Sequence, residues 1–474
     1  MTARHVRDAD LCVVGLGPTG RALAHRAGLA GLSVVAIDPR PERIWAPTYG
    51  CWADELPDWL PDRAVASRIA APTVWTTRPL RIDRPYCVLS KPGLHEALPL
   101  DGVTVLPGRA ATVSGHRVEL ADGSSVTAAA VVDARGLPAP GPRPAASAHG
   151  IFVDAELAAP MVAGDTGLLL DWRAENGAGP DEPPSFLYAV PVGDGKVIFE
   201  ETSLGLGGGV PQRELRRRTL NRLAAHGIRL RGDEPAEAAH YPLDQPPPTA
   251  VSGARSAAAI PFGSRGGMMH PCTGYGVAAS LSLVDPAVAA LRAGQDPVVT
   301  LWPWQARLVY WMRTRGLHGM GRLTTEQTVT MFEAFFTATP RQQRALLSAH
   351  DDYAALGAAL FLTVARTWPF RWRYDLVGWT NRRRWAGYYA AHPADTHPAT
   401  ITHPAGTAGP MTTAHSATTH PSTSHPASTG HLTTTHPAGT GHPTHPAVDA
   451  AGGAERDSPA VLDPVLPDDR GVGR

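Results

Sequence analysis

The stretch DLCVVGLGPTGRALAHRAGLAGLSVVAIDPRP, residues 10–41, constrains the fold of this chain more than any other. Residues 11–14 read as a short apolar strand, and a Gly-x-Gly-x-x-Gly turn follows at Gly15, Gly17 and Gly20. A helix with apolar Leu23, Ala24 and Ala27 comes next, then a second strand over residues 33–37 that ends at Asp38. Gly15 permits the tight turn, Gly17 lets the backbone approach a pyrophosphate, and Gly20 allows close helix–strand packing. The helix N-terminus offers free N–H groups and a positive dipole end to phosphates. Asp38 is placed to accept a ribose hydroxyl. Strand, turn, helix, strand and terminal acid in register describe a Rossmann-like dinucleotide-binding unit, and so an α/β fold.

Charge is balanced over the 474 residues, 43 basic against 43 acidic, which speaks against a nucleic-acid partner. Cys12, Cys51, Cys87 and Cys272 are scattered without C-x-x-C spacing and read as a reduced, cytoplasmic set. Two aspartates stand where a signal peptide needs an apolar core, so export is not expected. The longest apolar run, residues 354–365, is too short to span a bilayer. Residues 391–448 are dominated by Thr, Ala, Pro and His, with too little apolar surface to offset the entropy of ordering. A disordered tail over 391–474 is expected, and a His-rich tract of this kind is at most a weak metal binder.

VIFEETSL, residues 197–204, places Glu200 and Glu201 side by side in a strand-forming, half-apolar stretch with no Lys or Arg next to them in sequence. Neighbours on a strand point to opposite faces, so Glu200 shares a face with Ile198 and Thr202, and Glu201 with Val197 and Phe199. The alternative is a solvated edge strand.

Pro18, and the position of the glycine turn near the N-terminus, resemble FAD-dependent proteins. In those, AAAVVDARGLPAP (residues 128–140) corresponds to the later strand that returns to the cofactor, with Asp133 and Gly136 in a V-x-D-A-x-G turn. An ordinary buried strand with a glycine stop reads equally well from these residues alone. Four further segments sharpen the resemblance: Tyr49-Gly50-Cys51-Trp52-Ala53-Asp54-Glu55, Phe186-Leu187-Tyr188-Ala189-Val190-Pro191, Phe199-Glu200-Glu201-Thr202, and the run from Gly267 through His270-Pro271-Cys272-Thr273-Gly274-Tyr275 to Gly276. In order and spacing they resemble the flavoprotein lycopene cyclases of the plant and bacterial soluble type, over roughly residues 9–350.

That resemblance implies an enzyme that closes the end rings of lycopene, giving γ-carotene and then β-carotene. It implies reduced FAD, supplied through NADPH or another donor, although the reaction is a net isomerisation. It also implies an acyclic carotenoid as substrate, a membrane surface and other carotenoid-pathway enzymes as partners, and a cytoplasmic, peripherally membrane-associated location. The expected organisation is a Rossmann-like FAD-binding segment over 8–150, with a substrate-domain insertion around 60–100. An interleaved antiparallel catalytic sheet over 151–258 follows, then a return to the FAD domain over 259–300 and helices over 301–390.

Ring closure starts by protonating a terminal alkene, so the site needs a carboxylic acid in a dry pocket. Desolvation and a second carboxylate keep such a group protonated near neutral pH. Glu200 is assigned proton transfer, and Glu201 is expected to support it from behind. Trp52 and Tyr49 are candidates to offer π faces to the cation; Asp54 and Glu55 are candidates to offer charge or take the departing proton. Equally open is a core-packed Trp52 with Asp54 as a helix cap. His270 reads as a satisfied loop histidine and Gly274 as a flavin contact. Three departures stand out: Arg135 in the D-A-x-G turn, the lead Pro261-Phe262-Gly263-Ser264-Arg265-Gly266-Gly267, and Tyr86-Cys87-Val88 without a following arginine. The Trp- and Arg-rich segment 366–385 suits a headgroup boundary or a packed basic helix. The rival readings are a hydroxylase or prenyl-chain reductase of the same fold, and a flavin-bound carotenoid carrier.

Overall fold

The computed structural model describes residues 5–137, 143–205, 208–249, 258–367, 371–377, 384–393 and 400–402. A mostly parallel sheet forms around the glycine turn. Its central strand, His5–Val14, lies between Val34–Asp38 and Ser125–Asp133, both parallel to it, with Thr104–Pro107 beyond Val34–Asp38. Residues 11–14 and 34–37 are buried on both faces, as a parallel sheet covered by helices requires. The helix Pro18–Leu29 begins with proline at its first position and buries Leu23, Ala24 and Ala27. Ile260–Pro261 returns to pair with Ser125–Asp133.

A second, eight-stranded sheet carries the two glutamates. Its order is Thr400–Thr402, Ala236–Pro242, Ala145–Asp154, Lys196–Gly205, Phe186–Gly193, Leu168–Asp171, Thr73–Trp75 and Pro79–Arg81. Two short strands from the expected insertion thus join the large sheet, and Ala145–Asp154 crosses the expected boundary at 150. The glutamate strand runs over Lys196–Gly205 and pairs with Ala145–Asp154 without a bulge. It is joined to Phe186–Gly193 by a two-residue turn, Asp194-Gly195, in which both residues have positive φ. Such turns match the strand twist and fix the register.

Side-chain parity divides the core in two. Val197 and Phe199 pack with Ile151, Val153, Leu187 and Leu223 on the face covered by the helix Gln212–Ala225. Ile198 packs with Trp52, Tyr86, Phe186, Tyr188, Phe332 and Phe335 on the other. That second face is roofed by the helices Trp304–Met320, Thr325–Phe335, Pro340–Leu347 and Tyr353–Arg366. A three-stranded sheet, Gly50–Trp52, Tyr86–Leu89 and Val65–Ile69, walls its side. Of the low-complexity tail, Thr400–Thr402 forms an edge strand on Ala236–Pro242; residues 394–399 and 403–474, on which the reading of a disordered tail chiefly falls, lie outside the described residues. So do 368–370 and 378–383 of the Trp- and Arg-rich segment.

Candidate active site

Beneath the helical roof lies a cavity of about 820 Å³ that runs from the glycine-turn helix to the outer helices. Pro18 and Thr19 line one end, and Met312, Leu360 and Val364 the other. Glu200 is the only acidic side chain among the described residues that line it. Its Oε1 accepts a hydrogen bond from Thr202 Oγ1 at 3.1 Å. Burial, reinforced by the charge of Glu237 and opposed by the Thr202 hydrogen bond, pushes the Glu200 carboxyl up to about 8.

Glu201 points the other way and is 0% exposed. Arg222 Nε donates to its Oε2 at 2.8 Å, while Ser185 Oγ and Asn176 Nδ2 donate to its Oε1 at 2.6 and 2.9 Å. The acid without a cation beside it in sequence has one in space, from the helix Gln212–Ala225. The second carboxylate that acts on Glu200 is therefore Glu237 and not Glu201. Both face the cavity side of the sheet, while Glu201 is turned away and neutralised.

Aromatic hydroxyls surround the acid. Tyr86 Oη lies 3.2 Å from Tyr188 Oη and donates to Tyr275 Oη at 2.9 Å, and all three rings line the cavity. Burial raises each of these phenols, so they stay neutral donors and acceptors. Tyr49 and Trp52 line the same cavity. Trp52 meets Tyr86 edge-on, and the Arg84 guanidinium lies 4.5 Å from its ring centroid. Arg84 also binds Asp54 at 2.7 Å and Glu55 at 2.8 Å. Asp54 and Glu55 are thus ion-paired and stand outside the lining of the large cavity.

The expected cofactor residues gather at the other end. At Gly15, φ is +98°, and a side chain would strike the backbone of Ala134 and Arg135 at 2.8 Å. Gly20 packs against the Gly15 carbonyl, whereas Gly17 opens on empty space at the helix N-terminus. Asp38 accepts hydrogen bonds from Leu16 N at 2.8 Å and Arg40 N at 2.7 Å. Gly274, also at positive φ, lines the cavity with its backbone against Tyr241. Asp133 and Gly136 lie at the turn after the returning strand. Two of the sequence departures meet there: Arg135 and Arg265 bind Asp133 Oδ2 at 2.8 and 2.7 Å. Burial alone would raise that carboxyl, but these arginines hold it below its usual range. An open space above Gly17, a free helix end and a cavity beginning at Pro18 and Thr19 suit a dinucleotide whose reactive ring reaches inward. His270 is a satisfied loop residue: its Nε2 contacts the Leu346 carbonyl at 2.6 Å, and its Nδ1 accepts from Cys272 N and Thr273 N.

Glu237, Arg222 and the tyrosine cluster were not singled out from sequence. Glu237 had a signal of the kind that marked Glu200, a lone acid in the short apolar strand A-E-A-A-H-Y.

A Rossmann-like sheet joined to a large antiparallel sheet, with a cavity between the dinucleotide turn and a helical roof, defines the fold class of FAD-binding oxidoreductases. A geranylgeranyl bacteriochlorophyll reductase-like protein from Thermoplasma acidophilum shares this fold at a TM-score of 0.55 and 15% identity, over 77% of this chain and 97% of that one. The lycopene cyclase protein family matches residues 10–355, and the chain belongs to that family. A chloroplastic lycopene beta cyclase from an Oncidium hybrid cultivar is 30% identical over 391 residues, 74% of this chain and 81% of the relative. An uncharacterized carotenoid cyclase from Deinococcus radiodurans is 28% identical over 389 residues, 76% of this chain and 90% of the relative.

Proposed function

We propose that the protein is an FAD-dependent lycopene cyclase that forms γ-carotene and then β-carotene, with Glu200 as the acid. The observation that carries this reading is Glu200, the one carboxyl among the described residues lining a large, aromatic-lined cavity, which burial pushes up to about 8. Glu200 transfers its proton to the terminal double bond, forming a C–H bond and leaving a tertiary cation. The neighbouring alkene attacks that cation to close the ring. A proton then leaves an adjacent carbon, so atoms and electrons balance as an isomerisation. The ionised Glu200 is the carboxylate within the cavity that can recover this proton, a role that Asp54 and Glu55 are poorly placed to fill. Tyr49, Tyr86, Tyr188, Tyr275 and Trp52, which line the cavity, would flank the cation and keep water out.

Gly15, Gly17, Gly20 and the helix N-terminus would hold the FAD pyrophosphate, Asp38 a ribose, and Asp133, Gly136 and Gly274 the approach to the flavin. In its reduced form, replenished by NADPH, the flavin would supply negative charge near the cation. The roof supports a peripheral membrane role on the cytoplasmic side. Phe361 and Trp311 are 75% and 53% exposed, next to the cavity-lining Leu360 and Met312. No helix among the described residues is long and apolar enough to cross a membrane. An apolar face beside the cavity end suits loading of a water-insoluble polyene from lipid.

Expression in a lycopene-accumulating bacterium tests the reading by pigment analysis. Cyclic carotenes are expected, without NADPH oxidation in proportion to product. Persistent lycopene beside folded, flavin-bound protein would overturn it.

A further inference from the structure

Tyr188, Glu200, Gly150 and Glu237 stand directly opposite one another across four adjacent strands. Residues so paired project to the same side of a sheet; Gly150 itself adds no side chain between the two acids, and the space over it is taken by Ile198, whose Cδ1 a Cβ there would meet at 2.7 Å. Glu237 is 2% exposed and firmly held. Its Oε1 accepts from Thr48 N at 2.9 Å and its Oε2 from Thr48 Oγ1 at 2.8 Å. Burial raises the Glu237 carboxyl, and the Thr48 hydrogen bonds together with the cation of Lys91, whose Nζ donates to the Ala46 carbonyl at 2.7 Å, oppose that rise. Thr48 lines the cavity, so Glu237 sits just behind the wall in which Glu200 is set.

The two acids are unequally solvated. Glu237 has two donors and a cation, whereas Glu200 has the single hydroxyl of Thr202. When two carboxyls share a desolvated site, the proton stays on the one with the poorer support for charge. We propose that Glu237 is a positioning residue for the proton donor: a buried carboxylate, fixed by Thr48 and Lys91, that keeps the proton on Glu200 and sets a second negative charge beside the cation. The proposal rests on Glu200 being the acid.

The other titratable groups facing the pair do not compete for the charge. Tyr49, Tyr188, Tyr241 and Tyr275 are phenols raised by burial. The His240 ring is engaged by the Gly208 carbonyl at 2.6 Å. His149 stands opposite Glu201 on the reverse face, with Arg222.

The test follows two signals on the purified flavoprotein: the infrared band of a buried, protonated carboxyl, and the alkaline limb of the pH–activity profile. In the wild type both should fade as pH rises through about 8. Glu200→Gln should remove the band and the activity. Glu237→Gln should move both signals to lower pH by about one unit, the size of a close-charge effect in a buried site. Lys91→Met should move them to higher pH, and it supplies the opposite sign should the Glu237 variant fold poorly. An unmoved band and limb in folded Glu237→Gln, or in Lys91→Met, overturns the role of Glu237 while leaving Glu200 as the acid. Retained band and activity in Glu200→Gln would instead overturn the acid assignment.

Discussion

The two faces of the large sheet take adjacent glutamates and treat them in opposite ways. On the cavity face Glu200 is given little beyond one threonine hydroxyl, and desolvation holds its proton. On the helix face Glu201 receives a guanidinium, a hydroxyl and an amide, so its charge is neutralised in place. Two identical side chains one residue apart become, on the proposed function, a proton donor and a fastening. A residue's chemistry here is set by the face that receives it, since composition and sequence neighbourhood are nearly the same for both.

The sharpest way to break this contrast is Glu200→Gln. Turnover should fall by about a thousandfold, the scale of a lost general acid, while flavin content and thermal unfolding stay near wild type. If Glu201→Gln gave the same kinetic loss at unchanged stability, the contrast would be wrong. The next effect falls on stability. Arg222→Met leaves Glu201 buried and uncompensated, and should lower unfolding stability by about 3–5 kcal/mol in denaturant titrations. The double variant Arg222→Met with Glu201→Leu should recover part of that loss, because no lone charge remains; a double variant worse than either single one counts against the pairing. The smallest effect is expected at the roof. Phe361→Ser with Trp311→Ser should cut conversion of vesicle-borne substrate several-fold and leave detergent-dispersed substrate unaffected, because both side chains are exposed and add little to the core. Equal loss in both assays would place those residues in the catalytic path instead.

Local features were readable from the sequence, and partners from distant elements were not. The glycine turn, the helix after it and Asp38 are encoded in one continuous stretch, and the opposite facing of Glu200 and Glu201 follows from strand parity alone. Arg222 could not be matched to Glu201, because the pairing depends on how the helix Gln212–Ala225 lies across the sheet. Glu237 reaches Glu200 through an intervening strand, Ala145–Asp154, whose place in the order no local pattern states. Tyr86, Tyr188 and Tyr275 come from three separate segments and meet only once the side sheet closes against the large one. Asp54 and Glu55 were visible as acids, but Arg84, which claims them both, lies 29 residues from Glu55. The charge-free run 354–365 was visible as apolar, and its outward face emerged only with the helical roof in place.

The hairpin turn at Asp194-Gly195 acts at a distance from any chemistry. It sets the reading frame of the strand that follows, much as a start codon does for a message. Deleting one residue there would carry Glu201 to the cavity face and set Thr202 opposite Arg222, whereas adding one would put Phe199 in the cavity and turn Glu200 towards Arg222. Variation in the length of this turn should therefore be tolerated in steps of two residues and rejected in steps of one. A surface turn with no contact to substrate would then rank among the least forgiving positions in the protein.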